Sequence, residues 1–379
     1  MFDVVAYTQK LIQFDTTNPP GKEAECLEFA AKTLEKAGFD IRRQAFESDR
    51  MNVVATLPGS DTTAAPLIFT GHLDTVPLGT AQWDYSPFGG DIIDGKLYGR
   101  GASDMKSGVA AMIGAALKLA EKPQHARTRG LTLILTSGEE TGCAGALQLV
   151  EHGRDLLGQA SGMIVGEPTG NRVSTAHKGA LFISAKSDGV TAHSSQPELG
   201  DNAIYKAARA ISKIEDYGFN EKAHPLLGAP TINVGMIKGG LNVNSVPDSA
   251  EFTIDIRTNA AKPHEHFFDG LERYLGADVT LSTFTDMPAI STPIDDPLTK
   301  LAMQACREVL GEEASTDPFG LPFFTDASAL NTHFQCPTLI LGPGETTTMH
   351  QTDEYCLVRR IEEALSIYSV IAERWCLEP

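Results

Sequence analysis

Apolar positions in the first half of the chain recur first at helical and then at strand spacing. Between residues 22 and 37, Leu27, Ala30, Ala31 and Leu34 fall three and four apart, and Gly38 in "AGFD" stops the helix they predict. Strands are predicted at "NVVATL", "PLIFTG", "LTLILT" and "GMIVGE", with helices between them after Ser107 and near residues 144–152. "LTLILT" has the composition of a strand buried on both faces. Strands alternating with helices predict an α/β unit, a mainly parallel sheet with helices on both faces.

After about residue 177 the rhythm changes. "ALFISAKSD" predicts a strand, "DNAIYKAARAISKIEDY" a helix, "PTINVGMIKG" and "AEFTIDIRT" strands, "PHEHFFDGLERYL" a helix and "DVTLSTFT" a strand. That β-α-β-β-α-β order is ferredoxin-like. "DMPAISTPIDDP" then leads back to a helix over 296–310, the strand "CPTLILG" and a closing helix over 357–373. The expectation is one small ferredoxin-like α+β domain, 178–287, inserted into a larger one made of 1–177 and 288–379.

A chain of 379 residues with 42% hydrophobic and 21% charged residues can bury a large core in two domains. Its net charge of -18, with no Lys/Arg cluster, argues against a nucleic-acid partner and against an anionic membrane surface. The start lacks a basic segment followed by a long apolar one, so no signal peptide is expected. "GVAAMIGAALKLA" is too short to cross a bilayer. Six cysteines without C-x-x-C spacing fit a cytoplasmic protein with free thiols rather than a disulfide framework or a thiolate zinc site.

The candidate chemistry lies where the strands of the larger domain end. "PLIFTGHLDTVP" delivers His72 and Asp74, "GRGASDMKSG" Asp104, "LTLILTSGEETG" Glu139 and Glu140, "GMIVGEPT" Glu167, and "GPGETTTMHQTDEY" His350. Carboxylates converging without a cation would repel one another, whereas a divalent ion turns that repulsion into binding. Imidazole and carboxylate without sulfur suit zinc, with cobalt or manganese as substitutes. Five ligands, His72, Asp104, Glu140, Glu167 and His350, exceed what one catalytic zinc with an open position needs. Two ions sharing a bridging Asp104 account for them. Asp74, two residues from His72, can orient the imidazole. Glu139 is then free to take a proton from the attacking water and pass it to a leaving amine, which points to hydrolysis of an amide or peptide bond.

At "GHLDTVP", "GRGASDMKSG", "SGEETG", "GEPT", "HSSQPELGDNA" and "MHQTDEY" the sequence resembles the M20 metallopeptidase and deacylase family, over most of the chain and in the family's order. The resemblance implies a zinc-exopeptidase-like fold and a dinuclear zinc site with Asp104 bridging and His72, Glu140, Glu167 and His350 completing the ligands. It further implies Glu139 as general base, Asp74 as the acid beside the first histidine, and a homodimer formed through the inserted domain. His193 matches a histidine that in many dimeric members reaches the partner's active site. Asn244 and Arg257 match positions that hold the substrate carboxylate, and Thr325 in "GLPFFTDAS" stands in the substrate loop. The motifs look closest to those of acetylornithine deacetylase and succinyl-diaminopimelate desuccinylase, whose substrates are N-acyl amino acids. A dipeptidase or carboxypeptidase acting on short peptides is the alternative. A phosphate-loop enzyme is excluded because Met105 stands where that motif needs Gly before the Lys. A catalytically silent binding protein is disfavoured because every ligand and base position is filled.

Overall fold

The computed structural model describes residues 2–377. The chain divides into two compact units, one built from Met1–Ala176, Ser291–Phe319 and Thr325–Pro379, the other from His177–Ile290 and Gly320–Phe324.

The larger unit is built on a nine-stranded mixed sheet. At its centre Leu67–His72 pairs in parallel with Leu131–Thr136 on one side and Gly162–Val165 on the other, and Gly162–Val165 pairs in parallel with Thr338–Ile340. Every residue of the first three strands is buried, which is why their sequences are largely apolar rather than alternating with charged residues. Outside this parallel centre the pairing reverses. Arg50–Leu57, which contains "NVVATL", runs antiparallel to Leu131–Thr136, and Asp40–Glu47 runs antiparallel to it in turn. The outermost strand, "DIRRQAFE", is mostly exposed and polar, so hydrophobic periodicity gave no signal for it. A small sheet of Ile92–Ile93, Lys96–Tyr98 and Tyr355–Leu357 also escapes the pattern, its strands being two or three residues long.

Helix Ser107–Ala120 buries nearly its whole surface and packs against the closing helix Val358–Leu377. Its approach to the sheet needs a glycine at 108, where a Cβ would lie 2.2 Å from the carbonyl oxygen of Gly166. Phe69 on the central strand meets Tyr368 with ring centroids 5.4 Å apart. Each such fully buried apolar side chain contributes roughly 1.5–3 kcal/mol. Helix Pro297–Leu310 starts with Asp296 accepting the N–H of Leu298 and with proline in its first turn, where a missing N–H costs nothing.

The smaller unit follows the order strand Gly179–Asp188, helix Ala203–Glu215, strands Thr231–Gly239 and Ser249–Thr258, helix His264–Leu275, strand Thr280–Met287. Its antiparallel sheet places Gly179–Asp188 between Ser249–Thr258 and Thr280–Met287, with Thr231–Gly239 at the edge. This is the ferredoxin-like arrangement. Ala250, Phe252, Ile254 and Ile256 alternate onto one face and form a core with Ala207, Ile214, Phe267 and Leu271 from the two helices. Among the described residues no helix is long and apolar enough to cross a membrane.

Candidate active site

Parallel register brings the site together. His72 stands opposite Thr136, and Thr70 opposite Val165, so three neighbouring strands end at the same edge. The residues that follow emerge there side by side, at the end of a parallel sheet where ligands commonly bind. His72 and Asp74 leave the first strand, Glu139 and Glu140 the second, Glu167 the third. Asp104 comes from the segment before helix Ser107–Ala120, in extended conformation (φ −120°, ψ 96°). His350 comes from the loop after Thr338–Ile340 with φ 64°.

Asp104 is the centre of the cluster. Its Oδ1 lies 3.2 Å from His72 Nε2 and its Oδ2 3.3 Å from His350 Nε2. Each carboxylate oxygen thus faces a different imidazole. Glu167 Oε1 adds a contact 3.6 Å from His72 Nε2, and Glu140 Oε2 one 3.1 Å from His350 Nε2. Ligand atoms of His72, Asp104 and Glu140 all lie within 4.8 Å of one another, as do those of His72, Glu139 and Glu167. The five expected ligands and Glu139 therefore meet in one place.

Protonation in this cluster is frustrated. Burial and then the charge of Asp104 push Glu140 above the usual carboxylate range, and the same two causes push Glu167 well above it. Burial raises Glu139 as well, joined by the charges of Asp326, Glu140 and Asp104 against the opposing pull of His72. Burial would also raise Asp104, but hydrogen bonds from His350 and His72 outweigh it and hold that carboxyl low. His350 is pushed up to about 10 by its hydrogen bonds to Asp104 and Glu140. A group of acids and imidazoles that resists its ordinary charge states is what a divalent cation relieves, by taking the place of protons. Glu140 Oε1 fits the same reading, since it is buried without any hydrogen-bond partner. The residues present therefore suit a metal centre of nitrogen and oxygen donors.

Asp74 does more than sequence spacing indicates. Its Oδ1 is 3.4 Å from His72 Nδ1, but the nearer partner of that nitrogen is its own backbone carbonyl, at 3.0 Å. The carboxylate also accepts the backbone N–H of Glu139 at 3.1 Å and of Glu140 at 3.2 Å, and Asn18 Nδ2 at 2.9 Å. It ties the first histidine to the turn that carries both glutamates. Asn18 also donates to Thr141 at 2.9 Å and so braces the same turn. Sequence reasoning missed Asn18, Glu354 and Asp326. Glu354 lies four residues after His350 and accepts the N–H groups of Ser103 and Asp104. Asp326 is buried, accepts from Thr136 at 2.5 Å and is pushed up to about 6, mainly by burial. Glu354 lies within "MHQTDEY", yet nothing local marks it as a partner of residue 104.

In the smaller unit an isolated bridge pairs His193 with Ser245, and Ser194 N–H donates to the carbonyl of Asn244 at 3.1 Å. His193 and Asn244, distant in sequence, are thus neighbours, and both are exposed. His193 Nδ1 accepts the N–H of Ser195 at 3.1 Å, so in the neutral ring the proton sits on Nε2, which is left as a donor. Arg257 is half-buried, grips Asp255 through Nε at 2.9 Å and Nη2 at 3.1 Å, and stacks over Phe182. Thr325, in the larger unit, is fully buried and its hydroxyl accepts the N–H of Ala327 at the start of helix Ala327–Phe334.

Comparison with known proteins agrees with this geometry. Residues 68–374 match the sequence model of peptidase family M20/M25/M40. The chain is 31% identical to an acetylornithine deacetylase of Myxococcus xanthus, over 97% of this chain and 96% of that one. It is 30% identical to a "Probable succinyl-diaminopimelate desuccinylase" of Staphylococcus epidermidis, over 93% of each. Among solved structures, the M20 family metallo-carboxypeptidase Sso-CP2 of Sulfolobus solfataricus superposes with a TM-score of 0.77 at 18% identity, covering 98% of this chain and 99% of that one, a likeness of fold. A strand-edge cluster of two imidazoles and four acids, within a match spanning most of the sequence, places the chain in peptidase family M20/M25/M40, as a metal-dependent hydrolase of amide bonds.

Proposed function

We propose that this chain is a dinuclear zinc deacylase that removes the acyl group from an N-acyl amino acid. The observation that carries the proposal is the arrangement of Asp104, each of whose oxygens faces a separate imidazole–carboxylate pair. His72 and Glu167 with Asp104 would hold one cation, and His350 and Glu140 with Asp104 the other. Zinc suits this donor set, and cobalt or manganese would substitute. Bound there, the cations would polarise the scissile carbonyl and acidify the attacking water.

The chain's own residues supply the rest. Glu139 takes the proton that water loses as its oxygen bonds to the acyl carbon, and hands it to the amine nitrogen as the C–N bond breaks, so the carboxylate ends the cycle as it began. Asp74 fixes Glu139 and Glu140 in register. His193, with its donor on Nε2, would hydrogen-bond the carbonyl oxygen as charge develops there. Asn244 and Arg257 would hold the substrate carboxylate, and Thr325 would contribute its hydroxyl proton. Arg257 must then share its charge between Asp255 and substrate.

We further propose that two copies assemble through the smaller unit. Its edge strand Thr231–Gly239 leaves backbone groups unpaired on one side, and Met236 and Ile237 on it are 65% and 56% exposed. Leu241 and Val243, just beyond, are 93% and 97% exposed. His193 would serve the active site of the other copy. All six cysteines are free and buried, which suits the reducing cytoplasm.

The assay that tests the proposal is turnover by zinc- or cobalt-loaded protein on matched N-acetyl, N-succinyl and dipeptide substrates sharing one amine. A preference for one small acyl group supports the deacylase reading, and a preference for dipeptides moves the chain to the peptidase branch. Glu139→Gln should keep its metal while turnover falls by about 10²–10⁴. Near-normal turnover would refute the base assignment. His193→Ala should lose turnover but not metal, and mixing it with Glu139→Gln should restore activity. No recovery in verified mixed dimers would refute service across the dimer.

A further inference from the structure

One buried ion pair that the hydrolytic scheme does not use touches three of the segments that build the site. Arg100 and Glu354 are each 1% exposed, with Arg100 Nη1 2.5 Å from Glu354 Oε2. Glu354 Oε1 accepts the N–H of Ser103 at 2.8 Å and of Asp104 at 3.0 Å, and Oε2 accepts that of Gly101 at 3.2 Å. Arg100 donates to the carbonyl of Gln351 at 3.2 Å and to that of Pro77 at 3.2 Å. The pair thus joins the segment presenting Asp104, the turn that begins at His350 and the loop that follows His72 and Asp74.

The turn holds two residues in a sparsely populated backbone conformation. His350 and Asp353 both have left-handed backbone, at φ 64° and 55°, a conformation that side chains with a Cβ disfavour. Outside anchors hold it: Asp353 Oδ1 accepts the N–H of Asp84 at 2.9 Å and of Tyr85 at 3.3 Å, while Glu354 is fixed from inside by Arg100 and the 101–104 backbone. A fully buried ion pair seldom repays its desolvation as stability. Its use must be sought in what it positions.

We propose that the Arg100–Glu354 pair is a positioning element that sets the spacing between Asp104 and His350, and thereby controls occupancy of the cation site those two residues share with Glu140. The inference rests on the dinuclear reading above. His72 and Glu167 hang from the ends of parallel strands whose ladders fix them independently, so the other site depends on the pair less. His350 lies outside any strand, in the turn that precedes Tyr355–Leu357.

The test is a zinc titration of metal-free protein against a competing chelator, with Glu354→Gln and Arg100→Lys beside the parent. In Glu354→Gln the oxygen can keep the N–H groups of Ser103 and Asp104, but the new amide nitrogen then opposes the donors of Arg100 and Gly101. In Arg100→Lys the charge stays while the fork that reaches Gln351 and Pro77 is lost. The parent should bind two equivalents. Each variant should show one equivalent weakened about 10–100-fold, the range for losing support behind a metal ligand. The second should stay within about threefold, with near-UV circular dichroism unchanged and the smaller loss in Arg100→Lys. Two equivalents of parental affinity in a folded variant would overturn the inference, and so would equal weakening of both. Should Glu354→Gln not fold, Arg100→Lys is judged by the same criteria. A parent that binds fewer than two equivalents refutes the dinuclear reading itself, a failure visible before any substitution is made.

Discussion

Replacing Asp74 by Asn changes one atom and separates two roles for that carboxylate. The side chain is fully buried and accepts the N–H of Glu139 on one oxygen and of Glu140 on the other. Whichever way the amide is turned, its NH2 group must oppose one of those donors. Leaving a buried backbone donor unpaired costs about 1–3 kcal/mol. At roughly 2–4 °C per kcal/mol for a unit of this size, the melting temperature should fall by about 2–12 °C. Because the displaced turn carries both the proposed ligand Glu140 and the proposed base Glu139, zinc affinity should also drop about 10–100-fold. Turnover should stay depressed when zinc is saturating. The assay is calorimetric melting of chelator-treated protein, then zinc titration, then kcat at saturating zinc. A variant that melts with the parent and recovers full kcat once zinc is saturating would refute the reasoning, because Asp74 would then serve only the imidazole of His72.

Other expectations test different parts of the molecule. His177 is fully buried and burial pushes its pKa down from 6.5 to about 4. The unfolded chain therefore binds the extra proton first, so stability is complete above pH 6.5 and is lost as pH falls to 4, by about 3 kcal/mol. Urea unfolding of metal-free protein at pH 7 and pH 4 should show His177→Asn losing less over that interval than the parent, and equal losses would contradict the linkage. Gly138 has φ +75°, and a Cβ there would fall 2.3 Å from Nη2 of Arg50, which Glu23 holds at 3.1 Å. Gly138→Ala should destabilise by about 1–3 kcal/mol and lower kcat by moving Glu139, whereas unchanged melting and kcat would show that the turn yields freely. Chelation should lower the melting temperature, and zinc at about 100 times its Kd should restore about 2.7 kcal/mol. A melting temperature indifferent to zinc would argue against a folded-state metal site.

The site was legible in sequence to the extent that its residues sit at the ends of apolar runs. His72 ends, and Glu139, Glu140 and Glu167 follow, a strand whose burial is written in Leu, Ile, Val and Phe, and parallel pairing sets such strand ends side by side. The ferredoxin-like order was legible for a similar reason, since alternation on Ser249–Thr258 and helical spacing on Ala203–Glu215 are local patterns. Antiparallel pairing of Arg50–Leu57 was not, because direction leaves no mark in a strand's composition.

The sequence by itself determined the larger α/β unit, the inserted antiparallel one and which six side chains would meet at one edge of the sheet, because hydrophobic period and residue type are properties of short segments. Only the tertiary structure decided how those side chains are held. That Asp74 grips the N–H groups of two glutamates 65 and 66 residues away, and that Glu354 reaches back 250 residues to Asp104, depends on backbone groups whose directions are set once the strands and loops are packed. A hydrogen bond to a backbone N–H is indifferent to the residue that bears it, so no motif could announce these contacts.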